Sequence, residues 1–138
     1  MDARARSAAV QGELLTDRLR FLAAAAVLVP LGLASKRSAS AWLADELSGA
    51  LYVVFWIFAA LALRPRWPRA RVAAGVLIAT IALEFAQLWH PPWLERIRAT
   101  FLGHALLGSL FVWEDIPYYA LGALAGYVAA RAIGGRAA

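Results

Sequence analysis

The chain contains no cysteine, so disulfide bonds, thiolate nucleophiles and zinc sites built from thiolates are excluded. Histidine is nearly as scarce: there are two residues, and neither has a ligand spacing such as H-E-x-x-H. A G-x-S-x-G motif and a glycine-rich phosphate loop are also missing. We therefore expect no metal and no cofactor, and hydrolase or nucleotide-driven functions have little support.

Charged residues are few and hydrophobic residues many, at 17% and 62% of the chain. Soluble domains are only about 45–50% apolar, and a single domain of 138 residues could not bury such an excess in a soluble core. The arginines flank apolar runs and form no continuous stripe, so the net charge of +5 does not indicate a nucleic-acid partner. The composition predicts an all-α integral membrane protein, with residues 1–138 forming one membrane domain.

Four apolar stretches are predicted to span a membrane: residues 21–34, 47–63, 72–89 and 116–130. A fifth run, 101–113, would be only about 20 Å long as a helix, against a hydrocarbon core of about 30 Å. We predict that it forms a short re-entrant or interfacial half-helix. Residues 1–18 are predicted to form a polar N-terminal arm, and residues 132–138 a C-terminal tail.

Most basic residues lie in three segments, which sets the predicted topology. Ten of the 14 Lys and Arg residues occur in the N-terminal flank, in residues 64–71 and in residues 131–138. Under the positive-inside rule this distribution places both termini in the cytoplasm. The turn that contains Lys36, and the segment that contains Arg98, are then outside.

Glu84 is the only charged residue inside any of the long apolar runs. A carboxylate at that depth is costly unless it has a partner. Gln87 lies three residues later on the same helix face, where it can hydrogen-bond Glu84 or share its ligand. Arg98 is the preferred ion-pair partner, since a guanidinium matches a carboxylate or a phosphate. A role for Arg98 in which it only reaches the lipid head groups is an equal alternative.

A second group of residues follows in the last apolar stretch. Asp115 precedes Pro117 by two residues, which is typical of a helix N-cap followed by proline in the first turn. Helical spacing continues from Asp115 to Tyr119, Gly122 and Gly126. The G-x-x-x-G pair would allow close packing of another helix and would bring Asp115 and Tyr119 beside the face that carries Glu84.

The predicted ligand-binding site therefore combines polar residues from three segments. His104 is included because it lies one turn into the half-helix and could line the site or relay a proton, although hydrogen-bonded packing is the more frequent role of such a histidine. The site comprises Glu84, Gln87, Arg98, His104, Asp115 and Tyr119.

Residues 72–127 also carry a pattern that resembles a bacterial family of small membrane proteins, domain of unknown function 2809. The pattern is Glu84-x-x-Gln87, Pro92-Trp93, Arg98-x-Thr100, Gly108-x-x-Phe111-x-Trp113-x-Asp115 and Tyr119-x-x-Gly122. That family looks like the VanZ-like proteins, in which an Asn stands where this chain has Tyr119. The resemblance implies a bacterial inner membrane, a cell-envelope setting and no established reaction.

Three classes of function fit these residues. The first is a non-enzymatic membrane protein whose outer-leaflet pocket binds a lipid-linked, glycopeptide or other polar envelope ligand. The second is a membrane enzyme that acts on a lipid phosphate, with Glu84 or His104 as general acid or base and Arg98 on the phosphate. The third is an accessory subunit that packs against a protein partner in the membrane through the Gly122 and Gly126 stripe.

Overall fold

In a computed structural model, residues 2–38 and 40–135 are described. Within them the chain forms six α-helices and no strand: α1 Ala3–Lys36, α2 Ser48–Leu63, α3 Arg69–Ala86, α4 Pro92–Arg98, α5 Phe101–Leu107 and α6 Asp115–Ile133. One turn of π-helix, Leu43–Leu47, leads into α2. The predicted all-helical fold is confirmed. Residues 136–138 of the predicted C-terminal tail lie outside the described residues.

The four longer helices pack side by side, and α2 contacts each of the other three. Their core is formed by apolar side chains that are fully buried, among them Phe21 of α1 with Val53, Ile57 and Leu61 of α2. Helix α6 lies close to α2 at Gly122, where a Cβ atom would lie 2.6 Å from the carbonyl oxygen of Ala50.

Gly126 continues this contact one turn later, since a Cβ atom there would lie 2.7 Å from Ile57 Cδ1. At Gly122 the neighbour is backbone, so only a residue without a side chain permits the approach, whereas at Gly126 the neighbour is the end of a flexible side chain. The G-x-x-x-G pair therefore lies against a helix of the same chain.

Two of the described helical segments are long and apolar enough to cross a membrane, Ala3–Lys36 and Ala44–Leu63. The regions predicted as two further spans, α3 and α6, are not among them. Large apolar side chains nevertheless face outward on α1, α3 and α6, for example Val27, Ile78 and Leu124. Helix α1 begins at Ala3, so residues 3–18 of the predicted polar arm are helical and continuous with the rest of α1; Ala, Arg, Leu and Gln in this part favour helix formation.

The connection from α3 to α6 is built from two short helices and an irregular segment. Helix α5 ends at Leu107 because Gly108 has φ +64° and ψ −178°, a conformation that is essentially restricted to glycine. The predicted half-helix over 101–113 was therefore too long. Residues 108–114 form no regular helix and lie across the end of α3, which places them beside Glu84.

Candidate functional site

Glu84 lies near the end of α3, and its side chain is 1% exposed. Its Oε1 atom accepts a hydrogen bond of 2.9 Å from the backbone N–H of Val112. Its Oε2 atom accepts bonds from the Tyr119 hydroxyl, at 2.8 Å, and from Gln87 Nε2, at 3.2 Å. An N–H group can only donate, so each oxygen acts as an acceptor, an arrangement that suits a carboxylate. No ion pair to Glu84 occurs within the described residues.

Aromatic packing holds the Val112 N–H group in place. Phe111 and Trp113, on either side of Val112, contact Phe85, the residue after Glu84. The ring centroids of Phe111 and Phe85 are 5.4 Å apart, and those of Trp113 and Phe85 are 5.7 Å apart. The irregular segment is thus fastened to α3 on both sides of the donor.

Gln87 caps the end of α3 and is 7% exposed. Because its Nε2 group faces the Glu84 carboxylate, its carbonyl oxygen must face another direction, and Oε1 has no hydrogen-bond partner among the described residues. Gly108 lies directly against this amide: a Cβ atom there would be 2.5 Å from Gln87 Nε2. The glycine therefore both turns the chain and makes room for the glutamine.

Asp115 and Tyr119 lie one turn apart at the start of α6. The Tyr119 hydroxyl, which donates to Glu84, is also 3.5 Å from Asp115 Oδ2. The predicted N-cap role of Asp115 is wrong: Glu114 occupies the N-cap position with a helical φ of −65°, and no side chain caps the helix. Because the Asp115 carboxylate does not cap the helix, it can face Tyr119 and the space beside that side chain.

Arg98 does not pair with Glu84, so the expected partnership is wrong. The guanidinium is 5% exposed and donates to the carbonyl groups of Ala86 and Trp89, at 2.9 and 2.8 Å, and to Glu95 Oε1 at 2.8 Å. A helix ends with carbonyl groups that lack helical partners and with a negative dipole end, and a cation satisfies both. Arg98 therefore fastens α4 to the end of α3.

A cavity of about 700 Å³ lies where the ends of α1 and α3 meet the starts of α2 and α6, with α5 alongside. Since Phe101, one of its lining residues, is 73% exposed, the cavity reaches the protein surface. Arg98 is not part of the lining. The other five predicted site residues line the cavity: Glu84, Gln87, His104, Asp115 and Tyr119.

Sequence reasoning missed several residues of this cavity. Lys36, Arg37, Asp45 and Glu46 line it from the turn between α1 and α2. They lie far from Glu84 in sequence, and only the packing of α2 against α3 and α6 brings them near. Gly108 carried a detectable signal, because a glycine inside a short apolar run often marks a change of backbone direction.

Comparison with protein-family models identifies the family of this chain. The profile of the family described as "Protein of unknown function (DUF2809)" matches residues 38–123, a segment that contains all six predicted ligand-binding residues. The resemblance to domain of unknown function 2809 is thereby confirmed. No solved structure matches the chain.

Proposed function

The chain belongs to the family of proteins of unknown function DUF2809, and we propose that it is a multi-pass membrane protein whose cavity binds a polar group of a membrane or envelope ligand. One observation carries the proposal. Glu84 is buried, is held by three uncharged donors and lies in the wall of a cavity of about 700 Å³. Buried carboxylates in membrane helices are expensive and are typically functional.

We further propose that α1, α2, α3 and α6 are four membrane spans. The outward-facing Val27, Ile78 and Leu124 support this, because large apolar side chains on a protein surface are favoured by contact with lipid. Arg64, Arg66, Arg69 and Arg71 lie at the end of the bundle away from the cavity. The positive-inside rule then puts this end and both termini in the cytoplasm, and the cavity in the outer leaflet. A bacterial inner membrane and a VanZ-like relationship belong to the same proposal.

The two alternative functions each lose one feature on which they were based. A lipid-phosphate enzyme was expected to hold its phosphate with Arg98, but this guanidinium binds backbone carbonyl groups and Glu95 and does not line the cavity. An accessory subunit was expected to use Gly122 and Gly126 for a partner helix, but both glycines are covered by α2. The binding function is therefore the better account.

The proposal is tested by native mass spectrometry of the protein purified from membranes in mild detergent. Wild-type protein is expected to retain a ligand, and Gln87→Leu is expected to remain folded but lose it, since Glu84 keeps two donors while the free amide oxygen is removed. Leu88→Gln, the reverse exchange at a neighbouring side chain that is 60% exposed, is the matched control. Equal ligand retention by Gln87→Leu and wild type would refute the binding role.

A further inference from the structure

We propose that the cavity around Glu84 receives a primary ammonium group, as found at the end of an ethanolamine-type head group. This inference rests on the proposed function, because it names the chemistry of the ligand in the same cavity. It follows from the buried and half-buried polar atoms of the lining, which are available chiefly as acceptors.

The hydroxyl groups of the lining largely use their protons within the protein. Ser48 and Thr80 donate to carbonyl groups one turn earlier in the chain, at 2.6 and 2.8 Å. Tyr52 donates to a carbonyl group at the end of α5, at 2.8 Å, and Tyr119 donates to Glu84 at 2.8 Å. A hydroxyl has one proton and two lone pairs, so these four groups can offer a ligand only acceptor sites.

Two buried polar atoms of the lining have no partner among the described residues, and both are acceptors. They are Gln87 Oε1 and Glu46 Oε2. The orientation of the Gln87 amide is set by its bond to the Glu84 carboxylate, which requires the NH₂ group on that side. A buried acceptor without a partner costs free energy, and a donor supplied by a ligand would remove that cost.

Charge in the lining favours a cation. It holds four carboxylates against two cationic side chains: Asp45, Glu46, Glu84, Asp115, Lys36 and Arg37. Lys36 Nζ is 4.0 Å from Asp45 Oδ1, and both side chains are more than half exposed, so this pair lies at the mouth. Glu46, Glu84 and Asp115 lie deeper and outnumber the remaining Arg37. A group with positive charge and several donors satisfies both their charge and the free oxygens.

A primary ammonium fits this surrounding better than a metal ion. Among the described residues, no three His, Asp or Glu side chains are grouped closely enough to hold a metal. Lys36 and Arg37, which are exposed, are suited to the phosphate that accompanies an ethanolamine group. Phosphatidylethanolamine in the bilayer and soluble phosphoethanolamine share this chemistry.

Asp115 is the residue best suited to a test. Its carboxylate contacts the Tyr119 hydroxyl at 3.5 Å and does not cap α6. Asp115→Asn should therefore leave the fold intact. Glu114→Gln is the matched control, because the neighbouring carboxylate is exposed and does not line the cavity. Purified protein is titrated in detergent with phosphatidylethanolamine, phosphatidylcholine or phosphatidylglycerol, and bound lipid is measured by native mass spectrometry.

We expect phosphatidylethanolamine to bind about tenfold more tightly than phosphatidylcholine, whose nitrogen has no N–H donors, and Asp115→Asn to remove about the same factor. Glu114→Gln should bind like wild type. Competition by soluble phosphoethanolamine identifies the head group as the recognised part. If soluble phosphoethanolamine binds and the lipid does not, the ammonium group is still the recognised group, and the ligand is a soluble molecule.

Two results would overturn the inference and are distinguishable. If phosphatidylglycerol binds more tightly than phosphatidylethanolamine, and cavity substitutions abolish this binding, the ammonium inference is refuted. The cavity would still be a binding site for a lipid head group. Equal binding of all three lipids, unchanged in Asp115→Asn and in Gln87→Leu, would refute both the ammonium inference and the proposed function.

Discussion

The backbone N–H of Val112 donates a 2.9 Å hydrogen bond to Glu84 Oε1 across 28 positions of sequence. This bond joins the irregular segment after α5 to the end of α3. The buried carboxylate of Glu84 thus holds the irregular segment against α3. Glu84 therefore has a structural role in addition to its place in the cavity wall.

The first prediction concerns that anchor. Glu84→Gln replaces one acceptor oxygen with an NH₂ group, which would face either Val112 or the donors Tyr119 and Gln87. A buried donor without an acceptor costs about 1–3 kcal/mol, so the free energy of unfolding should fall by that amount in detergent. Glu13→Gln, at an exposed position of α1, should have little effect. Equal thermal stability of Glu84→Gln and wild type would contradict the assigned hydrogen bonds.

The second prediction concerns Gly108. Gly108→Ala forces a side chain into a φ of +64° and places its Cβ 2.5 Å from Gln87 Nε2. Backbone strain of this kind costs about 1–3 kcal/mol, before the clash is added. Gly75→Ala is the matched control: nothing lies within 4 Å of its new Cβ atom, and alanine in a helix interior should stabilise by about 0.5–1 kcal/mol. If both variants melt like wild type, the turn at Gly108 is not as described.

Much of the helical layout could be predicted from the sequence, because long apolar runs and prolines mark helices and their limits. The hydrogen bond between Gln87 and Glu84 also follows from their spacing on one helix. The partner of Arg98 could not be predicted, since Glu84 ends up with donors from the loop and from α6. The position of Arg98 depends on how α4 packs against the end of α3. That packing is tertiary structure, which the sequence pattern does not show.

The position of Val112 illustrates the same limit. Its side chain is an ordinary apolar one, and its role in the site is played by a backbone N–H that every residue except proline possesses. No sequence signal marks such a donor. It becomes one only because α5 stops at Gly108 and the aromatic residues Phe111 and Trp113 pack on Phe85.

The third prediction separates Arg98 from Glu84 energetically. In thermal melts of Glu84→Gln, Arg98→Gln and the double variant, the two losses should add to within about 0.5 kcal/mol, since the residues share no hydrogen-bond partner. Arg98→Gln and Glu95→Gln should instead be non-additive, because these side chains are bonded at 2.8 Å. Strong coupling between Glu84 and Arg98 would restore the ion pair that the structure does not contain.

The fourth prediction concerns the effect of low pH on the stability that Glu95 contributes. The hydrogen bond from Arg98 and, second, the bond with His90 hold the pKa of Glu95 below its ordinary value. A carboxyl group whose pKa is lowered by folding stabilises the fold fully above its unfolded pKa, and this contribution is lost as the pH falls through the folded pKa. Glu95→Gln should therefore melt below wild type at neutral pH, and the gap should close in acid. A gap that widens on acidification would contradict the assigned contacts.

The central claim, a polar cavity on the outer side of a membrane, is tested most directly by cysteine labelling. The chain has no cysteine, so single cysteines can be introduced without background. Ser109 lines the cavity and is exposed, and Arg66 lies in the turn between α2 and α3 at the opposite end. An impermeant maleimide should label Ser109→Cys in intact cells and Arg66→Cys only after the membrane is opened. Labelling of Arg66→Cys in intact cells, with Ser109→Cys protected until lysis, would contradict the account.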